Sequence, residues 1–235
     1  MVPAFLMSDL TTTNNQIERM IRKVKAVIFD LDGTLGNTVP LCVEAFRRSI
    51  EPLIDRAISD EEIIATFGPS EEGTIMQLAP NNYEKGISDY LHYYELLHNM
   101  CPKPFDGIVD LLNSLKESQI RLAMVTGKGE HSTNITLKKF ELTGFFERIE
   151  TGHQLGPRKA EGIEAVADLF CNIDKREIVY VGDAPGDILS CRKAGVPVVS
   201  VTWANTVAPA ELIQLMPDQL FHTVSDFSSW ISSKI

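Results

Sequence analysis

Short apolar runs alternate with helix-like segments along the second half of the chain. Residues 120–125, 178–181 and 196–201 form three of these runs, and each has the length and composition of a buried strand. The segments between them carry apolar residues at the three- and four-residue spacing of helices. Strands that alternate with helices build a parallel sheet covered on both faces. This pattern therefore predicts an α/β fold with a parallel sheet.

Residues 37–102 interrupt this alternation, because they contain several helical patterns and no convincing strand. Val39, Val43, Phe46 and Ile50 recur at helical spacing near the start of this segment, and Pro102 marks its end. The sequence therefore predicts two domains, an α/β core of residues 1–36 and 103–235 and an all-helical cap of residues 37–102. A chain of 235 residues is long enough for one core with such an insertion.

Two carboxylates follow the apolar run at residues 27–29, where the first strand is predicted to end. They belong to Asp30 and Asp32, and the adjacent Gly33 allows a backbone to approach a ligand closely. In open α/β sheets, ligands bind at the carboxyl ends of the strands. Carboxylates this close repel each other, so they need a cation, a shared proton or a chemical task. The alternatives are a helix cap, an EF-hand loop in which Leu35 would occupy a ligand position, and a phosphate loop at Gly127 that lacks its first glycine.

Two later strands also end in residues that suit an anionic ligand or a metal. The run at 120–125 is followed by Thr126 and Gly127, whose hydroxyl and backbone amides can bind phosphate oxygens. The run at 178–181 is followed by Asp183 and Asp187 in a turn that opens a helix. Carboxylate oxygens are the ligands that hard divalent cations prefer, although an acidic pair can also simply complement a helix dipole.

The chain is acidic, with a formal net charge of −10 and a pI of about 5.0. No basic block is present, so the composition does not favour nucleic-acid binding. An acidic site that handles a phosphate group needs a local cation. Lys159, just before a predicted helix, is the candidate for this role, and Arg158 and Lys128 are the alternatives.

The four cysteines show neither C-x-x-C pairs nor zinc-ligand spacing, so free thiols in a reducing cytoplasm are expected. No apolar stretch approaches the roughly 20 residues of a membrane span. The apolar run at the N-terminus is too short for a signal peptide. We therefore expect a cytoplasmic protein with no membrane or nucleic-acid partner, either a monomer or a homodimer.

Four motifs in a fixed order resemble those of the haloacid dehalogenase superfamily. They are D-x-D-G-T after a strand, a threonine after the next core strand, a lysine before a helix, and G-D-x-x-x-D after a later strand. They span about residues 25–203, and within the superfamily the chain is most similar to the phosphoglycolate phosphatase and β-phosphoglucomutase group. This resemblance implies a Rossmann-like core with an inserted helical cap.

The resemblance also implies a role for each matched position. Asp30 would be the nucleophile, and Asp32 would be the general acid and base. Thr126, Gly127 and Lys159 would hold the phosphate group. The implied Mg²⁺ ligands are Asp30, Asp32 through its backbone carbonyl, Asp183 and Asp187.

The function implied by these roles is Mg²⁺-dependent hydrolysis of a small phosphorylated metabolite through an aspartyl phosphate. The alternatives are a phosphomutase of the β-phosphoglucomutase type, a pyrophosphatase, and a catalytically inactive binding module with the same fold. Halide displacement is disfavoured, because the dehalogenases of the superfamily lack a carboxylate at the position of Asp32.

Three further expectations concern the cap and the N-terminus. Arg47 or Arg48, on the first predicted cap helix, could reach an anionic part of the substrate. Asn37 stands where relatives usually have a hinge aspartate. Near the N-terminus, residues 11–14 could cap a short helix that carries three apolar residues on one face: Ile17, Met20 and Ile21.

Overall fold

A six-stranded parallel sheet forms the centre of the protein in the computed structural model, which describes Ile21 and residues 23–235. The strand order is β3-β2-β1-β4-β5-β6, which confirms the predicted α/β fold. The strands are β1 (Ala26–Phe29), β2 (Arg121–Val125), β3 (Arg148–Glu150), β4 (Ile178–Gly182), β5 (Val198–Val201) and β6 (Gln219–Phe221).

Ten α-helices accompany the sheet in the described residues. The first four are α1 (Val39–Ile54), α2 (Asp60–Ile64), α3 (Glu71–Leu78) and α4 (Tyr83–Leu96). The other six are α5 (Ile108–Glu117), α6 (Glu130–Lys139), α7 (Lys159–Leu169), α8 (Pro185–Ala194), α9 (Pro209–Gln214) and α10 (Val224–Ser232). The predicted helix over residues 11–21 lies outside the described residues except for Ile21, which packs against the sheet core.

Strand β1 is central because all four of its residues are apolar and fully buried. Val27 and Phe29 face one helical layer, while Ala26 and Ile28 face the other, as the two-residue period of a strand requires. Strand β1 pairs with β2 on one side and with β4 on the other. The carboxyl ends of these three strands therefore lie side by side.

Some boundaries differ from those expected from the sequence. The helix predicted at 133–142 is observed three residues earlier, as α6. The acidic Glu130 suits the first turn of a helix, and Glu141 adopts a φ of 58°, which is incompatible with continuing it. Strand β5 likewise begins at Val198 rather than at residue 196, because Pro197 precedes it and has no N–H to donate.

Helices α1 to α4 lie between β1 and β2, and the structure describes no strand between them. They enclose their own apolar cluster, separate from the two clusters on the faces of the sheet. Three aromatic rings form its centre, with Phe46 4.3 Å from Tyr90 and Tyr90 5.7 Å from Tyr94 between ring centroids. We call these four helices the cap; its domain boundaries at residues 37 and 102 stay a prediction.

The cap contacts the core through buried polar groups as well as apolar ones. The Glu71 carboxylate, at the start of α3, accepts hydrogen bonds from the Gly129 backbone N–H (2.6 Å) and from the Ser132 hydroxyl of α6. The Tyr94 hydroxyl hydrogen bonds to the Thr136 hydroxyl at 2.7 Å. These contacts place the cap over the carboxyl ends of the central strands.

A search of the described helices finds none with the length and apolar character needed to cross a bilayer.

Candidate active site

Three neighbouring strands each end in a residue that the sequence singled out. Asp30 follows β1, Thr126 follows β2, and Asp183 follows β4. Because the pairings of β1 with β2 and with β4 are parallel, these side chains meet at one edge of the sheet. The site thus arises directly from the strand order.

Three carboxylates converge at this edge. Asp30, Asp183 and Asp187 each offer an oxygen, and the three oxygens lie within 4.8 Å of one another. The Thr34 hydroxyl donates a hydrogen bond of 3.0 Å to Asp183. A carboxylate set of this size fits a hard divalent cation such as Mg²⁺, which takes oxygen ligands.

Gly33 is required by this packing. Its backbone φ is 79°, and a Cβ atom at this position would overlap the Asp183 carboxylate. The D-x-D-G-T segment therefore brings its glycine against the carboxylate that follows β4, and the two distant motifs form one structure.

Lys159, the first residue of α7, lies between two of the carboxylates. Its Nζ donates to Asp30 Oδ2 and to Asp187 Oδ1, both at 2.5 Å. Burial alone lowers the pKa of this ammonium, but the Asp187 and Asp30 carboxylates raise it above its ordinary value. Lys159 is therefore a permanent cation at the strand ends.

Asp30 is 4% exposed. Burial raises its pKa to about 6, against the lowering effect of Lys159 and with a further raising effect from Asp187. Its Oδ1 accepts a hydrogen bond from the Leu31 backbone N–H at 2.7 Å. At neutral pH the group is mainly ionised, which a nucleophilic carboxylate requires.

The Asp187 carboxylate accepts hydrogen bonds from two groups that the sequence analysis did not identify. The Ala184 backbone N–H donates to its Oδ2 at 2.9 Å, and the Tyr180 hydroxyl lies 3.1 Å from its Oδ1. The same hydroxyl lies 3.0 Å from the Val125 carbonyl oxygen. Tyr180 thus connects β2, β4 and the carboxylate that binds Lys159.

Tyr180→Phe is expected to lower kcat about tenfold while KM changes little, because the Asp187–Lys159 pair loses one buried hydrogen bond worth roughly 1.5 kcal/mol. Steady-state kinetics on a phosphate ester would measure this effect. Tyr93→Phe, in a partly buried ring on the cap, is the matched control and should leave kcat unchanged. Equal kinetics for the two variants would contradict the positioning role of Tyr180.

Asp32 stands apart from the three converging carboxylates. It accepts a hydrogen bond from the Thr38 hydroxyl, and Lys128 Nζ lies 3.3 Å from it. The buried ammonium of Lys128 also lies 3.1 Å from Cys42 Sγ and 4.3 Å from the centre of the Tyr94 ring. Burial lowers the pKa of Lys128, and Asp32 raises it well above the ordinary value.

A cavity of about 380 Å³ lies between these residues and the cap. Most of the residues predicted from the sequence line it: Asp30, Asp32, Thr126, Gly127, Lys159 and Asp183. Asp187 is fully buried beneath them. The cap contributes Val39, Cys42, Phe46, Phe67, Gly68, Pro69, Glu71, Thr74 and Tyr90. The cavity therefore joins the acidic edge of the sheet to the cap.

Arg47 and Arg48 are not among the described residues that line this cavity. Arg47 pairs with Glu44 at 2.9 Å and with Asp60, and Arg48 pairs with Glu44 at 2.7 Å. Both lie on a face of α1 that points away from the cavity-lining Cys42 and Phe46. The expected contact between these arginines and an anionic part of the substrate stays a prediction.

Asn37, at the predicted hinge, makes a contact that an aspartate could not make. Asn37 donates a hydrogen bond from its Nδ2 to Asn205 Oδ1 at 3.2 Å. An aspartate could not donate this bond, so Asn37 connects the start of the cap to the segment after β5.

A larger cavity of about 460 Å³ lies at the amino ends of β4 and β5. Two of its cations are bonded to backbone carbonyls, Lys175 to Ala194 at 2.8 Å and Arg192 to Leu215. Because the strand ends with the carboxylates are at the opposite edge, the smaller cavity is the candidate active site.

Comparison with known proteins identifies the family. A family model described as haloacid dehalogenase-like hydrolase matches residues 27–201, which is most of the chain. This chain is a haloacid dehalogenase-like hydrolase. The family resemblance drawn from the four motifs is thereby confirmed, and so is the expectation that the protein is an enzyme.

Relatives of the hydrolase include proteins named PpaX. PpaX of Caldanaerobacter subterraneus is 33% identical over 193 residues, covering 82% of this chain and 87% of that protein. The pyrophosphatase PpaX of Listeria innocua is 30% identical over 210 residues, covering 88% and 96%.

A solved haloacid dehalogenase-like hydrolase from Streptococcus pneumoniae superposes on the chain with a TM-score of 0.72 at 24% identity. The match covers 88% of this chain and 98% of that chain. At this identity the comparison supports the fold alone.

Proposed function

We propose that this hydrolase is a Mg²⁺-dependent phosphatase that cleaves monoesters of small metabolites through a phosphoaspartate on Asp30. The observation that carries the proposal is the convergence of Asp30, Asp183 and Asp187 within 4.8 Å, with the Lys159 ammonium bonded to two of them. Three carboxylates and one ammonium at the floor of the cavity suit a phosphate dianion only when a divalent cation is added.

In the first step, an Asp30 oxygen attacks phosphorus and the bond between phosphorus and the ester oxygen breaks. The leaving oxygen takes a proton from the carboxyl group of Asp32. Lys159, Thr126 and the backbone at Gly127 hold the other phosphate oxygens. The products are an alcohol and an acyl phosphate on Asp30.

In the second step, the Asp32 carboxylate takes a proton from water and the resulting hydroxide attacks the phosphorus of the acyl phosphate. The bond from phosphorus to the Asp30 oxygen breaks, so inorganic phosphate leaves and Asp30 is regenerated. The cap excludes other water from the cavity during both steps.

The carboxylates of Asp30 and Asp183 would hold Mg²⁺, with the Asp32 backbone carbonyl and Asp187 in support. When bound, this ion offsets the repulsion between the anionic nucleophile and the phosphate dianion. Without it, burial together with the Asp30 and Asp187 charges raises the pKa of Asp183 well above its ordinary value. A divalent cation would offset this accumulation of negative charge.

Pyrophosphate hydrolysis is the second candidate function. It is favoured by the relatives named pyrophosphatase PpaX, which match most of this chain at about 30% identity. The same two steps would apply, with phosphate as the leaving group in place of an alcohol. The β-phosphoglucomutase alternative would require the phosphoaspartate to transfer its group to a second sugar oxygen instead of to water.

Metal removal tests the proposal. Chelation is expected to lower phosphate release by roughly 100-fold or more, because the metal supplies several kcal/mol of charge stabilisation. Mg²⁺ should restore activity and should also raise the Tm of the metal-free protein, since it relieves the repulsion among the carboxylates. Ca²⁺ should not restore activity, because its longer bonds and larger coordination number do not hold the same geometry.

Activity that is undiminished after exhaustive chelation would contradict the proposed mechanism. Phosphate release would be measured on a panel of a few dozen phosphorylated metabolites, with β-glucose 1-phosphate followed for conversion to the 6-phosphate.

A further inference from the structure

The part of the cavity formed by the cap is mainly apolar. Phe46, Phe67, Val39, Cys42 and Pro69 all line it. Phe46 and Phe67 are neighbours, with 6.0 Å between their ring centroids. Phe67 is 40% exposed, so this aromatic wall extends to the surface at the cavity mouth. Water adjacent to such a wall is released when an apolar group binds.

The one cation of the described lining that reaches this wall is Lys128, which lies 3.1 Å from Cys42 Sγ and is balanced by Asp32 in this structure. The described lining residues include no arginine or histidine. Lys159 is bonded to Asp30 and Asp187, and Lys128 lies 3.3 Å from Asp32. The cap side also contains the Glu71 carboxylate, which accepts hydrogen bonds from the Gly129 N–H and the Ser132 hydroxyl. A substrate with a second anionic group would lose its hydration here without gaining a partner.

One polar group on the cap side has no protein partner. Tyr90 is 1% exposed and lines the cavity, and its hydroxyl makes no hydrogen bond within residues 23–235. By contrast, the hydroxyl of its neighbour Tyr94 is bonded to Thr136 at 2.7 Å. The Tyr90 hydroxyl can therefore bond a ligand or water that enters the cavity. The cavity therefore presents one neutral hydrogen-bonding group within an aromatic wall.

We infer that the leaving group of the substrate is an uncharged aromatic alcohol that carries one neutral hydrogen-bonding substituent. This inference rests on the proposed phosphatase function, because it assigns the phosphate to the acidic floor and the alcohol to the cap. The ring packs against the wall formed by Phe46 and Phe67, and the substituent bonds the Tyr90 hydroxyl. The same lining makes pyrophosphate and carboxylated phosphate esters poor substrates.

A matched pair of substrates tests this inference. Benzyl phosphate and phosphoglycolate are both esters of primary alcohols, and they differ in carrying a phenyl or a carboxylate group. The kcat/KM value for benzyl phosphate is expected to exceed those for phosphoglycolate, pyrophosphate and β-glucose 1-phosphate by roughly 100-fold. A higher value for any of these three compounds would overturn the inference while leaving the phosphatase proposal intact.

The Tyr90 hydroxyl is tested with a second pair of substrates. The wild-type protein should prefer 3-hydroxybenzyl phosphate to benzyl phosphate by about tenfold in kcat/KM, and Tyr90→Phe should remove this preference. An unchanged preference in Tyr90→Phe would overturn the role assigned to this hydroxyl.

Phe67→Arg should reverse the selectivity. A cation at the cavity mouth is expected to raise kcat/KM for phosphoglycolate about tenfold relative to benzyl phosphate. Leu96→Arg is the matched control, because Leu96 is 59% exposed on the cap helix α4 and does not line the cavity. A shift of equal size in both variants would contradict a specific effect at the cavity.

Binding measurements separate this inference from the phosphatase proposal. If no ester is hydrolysed in the presence of Mg²⁺, the phosphatase proposal fails, and calorimetry with two non-hydrolysable compounds then decides the inference. Benzylphosphonate should bind the Mg²⁺-loaded protein at least tenfold more tightly than phosphonoacetate. Tighter binding of phosphonoacetate would overturn the inference.

Discussion

Asp30→Asn is expected to lower kcat roughly 10⁴-fold or more, because an amide cannot form the phosphoaspartate. The asparagine keeps the shape of the side chain and can still accept a hydrogen bond from Leu31. The substitution therefore removes the attacking oxygen charge rather than the architecture of the site. Phosphate release under saturating Mg²⁺ and substrate measures the effect.

The same variant should not destabilise the metal-free protein. Burial raises the pKa of Asp30 to about 6, above its ordinary value of 3.8. A carboxyl whose pKa is raised by folding lowers stability once the pH exceeds the ordinary value, and this cost is fully present above the folded pKa. At pH 7.5 asparagine avoids this cost, so the Tm should be equal or higher. The loss of activity would then be separable from unfolding.

Asp168→Asn is the control for the charge change. Asp168 is exposed on α7 and lies outside the cavity lining. Its substitution removes one negative charge and should leave kcat unchanged. Substantial turnover by Asp30→Asn, once contamination by wild-type protein is excluded, would remove Asp30 as the nucleophile.

Gly33→Ala is expected to have the second largest effect. The alanine must adopt a φ of 79°, which costs about 1–2 kcal/mol, and its Cβ would also overlap the Asp183 carboxylate. Displacing this carboxylate disrupts the site that would hold Mg²⁺. We expect kcat/KM to fall roughly 100-fold and the Mg²⁺ concentration for half-maximal activity to rise.

Gly144→Ala separates the two causes. Gly144 has a similar φ of 83°, but a Cβ there would meet no atom within 4 Å. Gly144→Ala introduces the backbone strain without a steric overlap. Its Tm should therefore fall while its kcat/KM and Mg²⁺ requirement stay the same. Similar Mg²⁺ requirements for the two variants would show that Gly33 is needed for its backbone conformation and not for the approach of Asp183.

The sheet and its acidic edge were predictable because they depend on short-range patterns. Apolar runs followed by Asp30, Thr126 and Asp183 mark three strand ends, and a parallel sheet must bring such ends to one edge. The G-D-x-x-x-D spacing also places Asp187 on the first turn of α8, next to the end of β4. No knowledge of the cap is needed for these contacts.

The contacts of the cap were less predictable because they depend on helix orientation and burial. Arg47 lies next to the cavity-lining Phe46 in sequence, yet it pairs with Glu44 and Asp60 on another face of α1. Lys128 was an alternative for the phosphate cation, but a buried position beside Asp32 and Cys42 requires the assembled cap. Likewise, the sequence shows Tyr180 only as one residue of an apolar strand, so the contacts of its hydroxyl could not be predicted.

The hydrogen bond from Thr38 to Asp32 has a consequence for the timing of the reaction. Thr38 is the N-cap residue just before the first cap helix, whereas Asp32 belongs to the loop after β1. The orientation of that helix therefore sets one hydrogen bond of the carboxyl group that exchanges protons in the proposed reaction. In that reaction, the placement of the cap would influence how readily Asp32 protonates the departing alcohol.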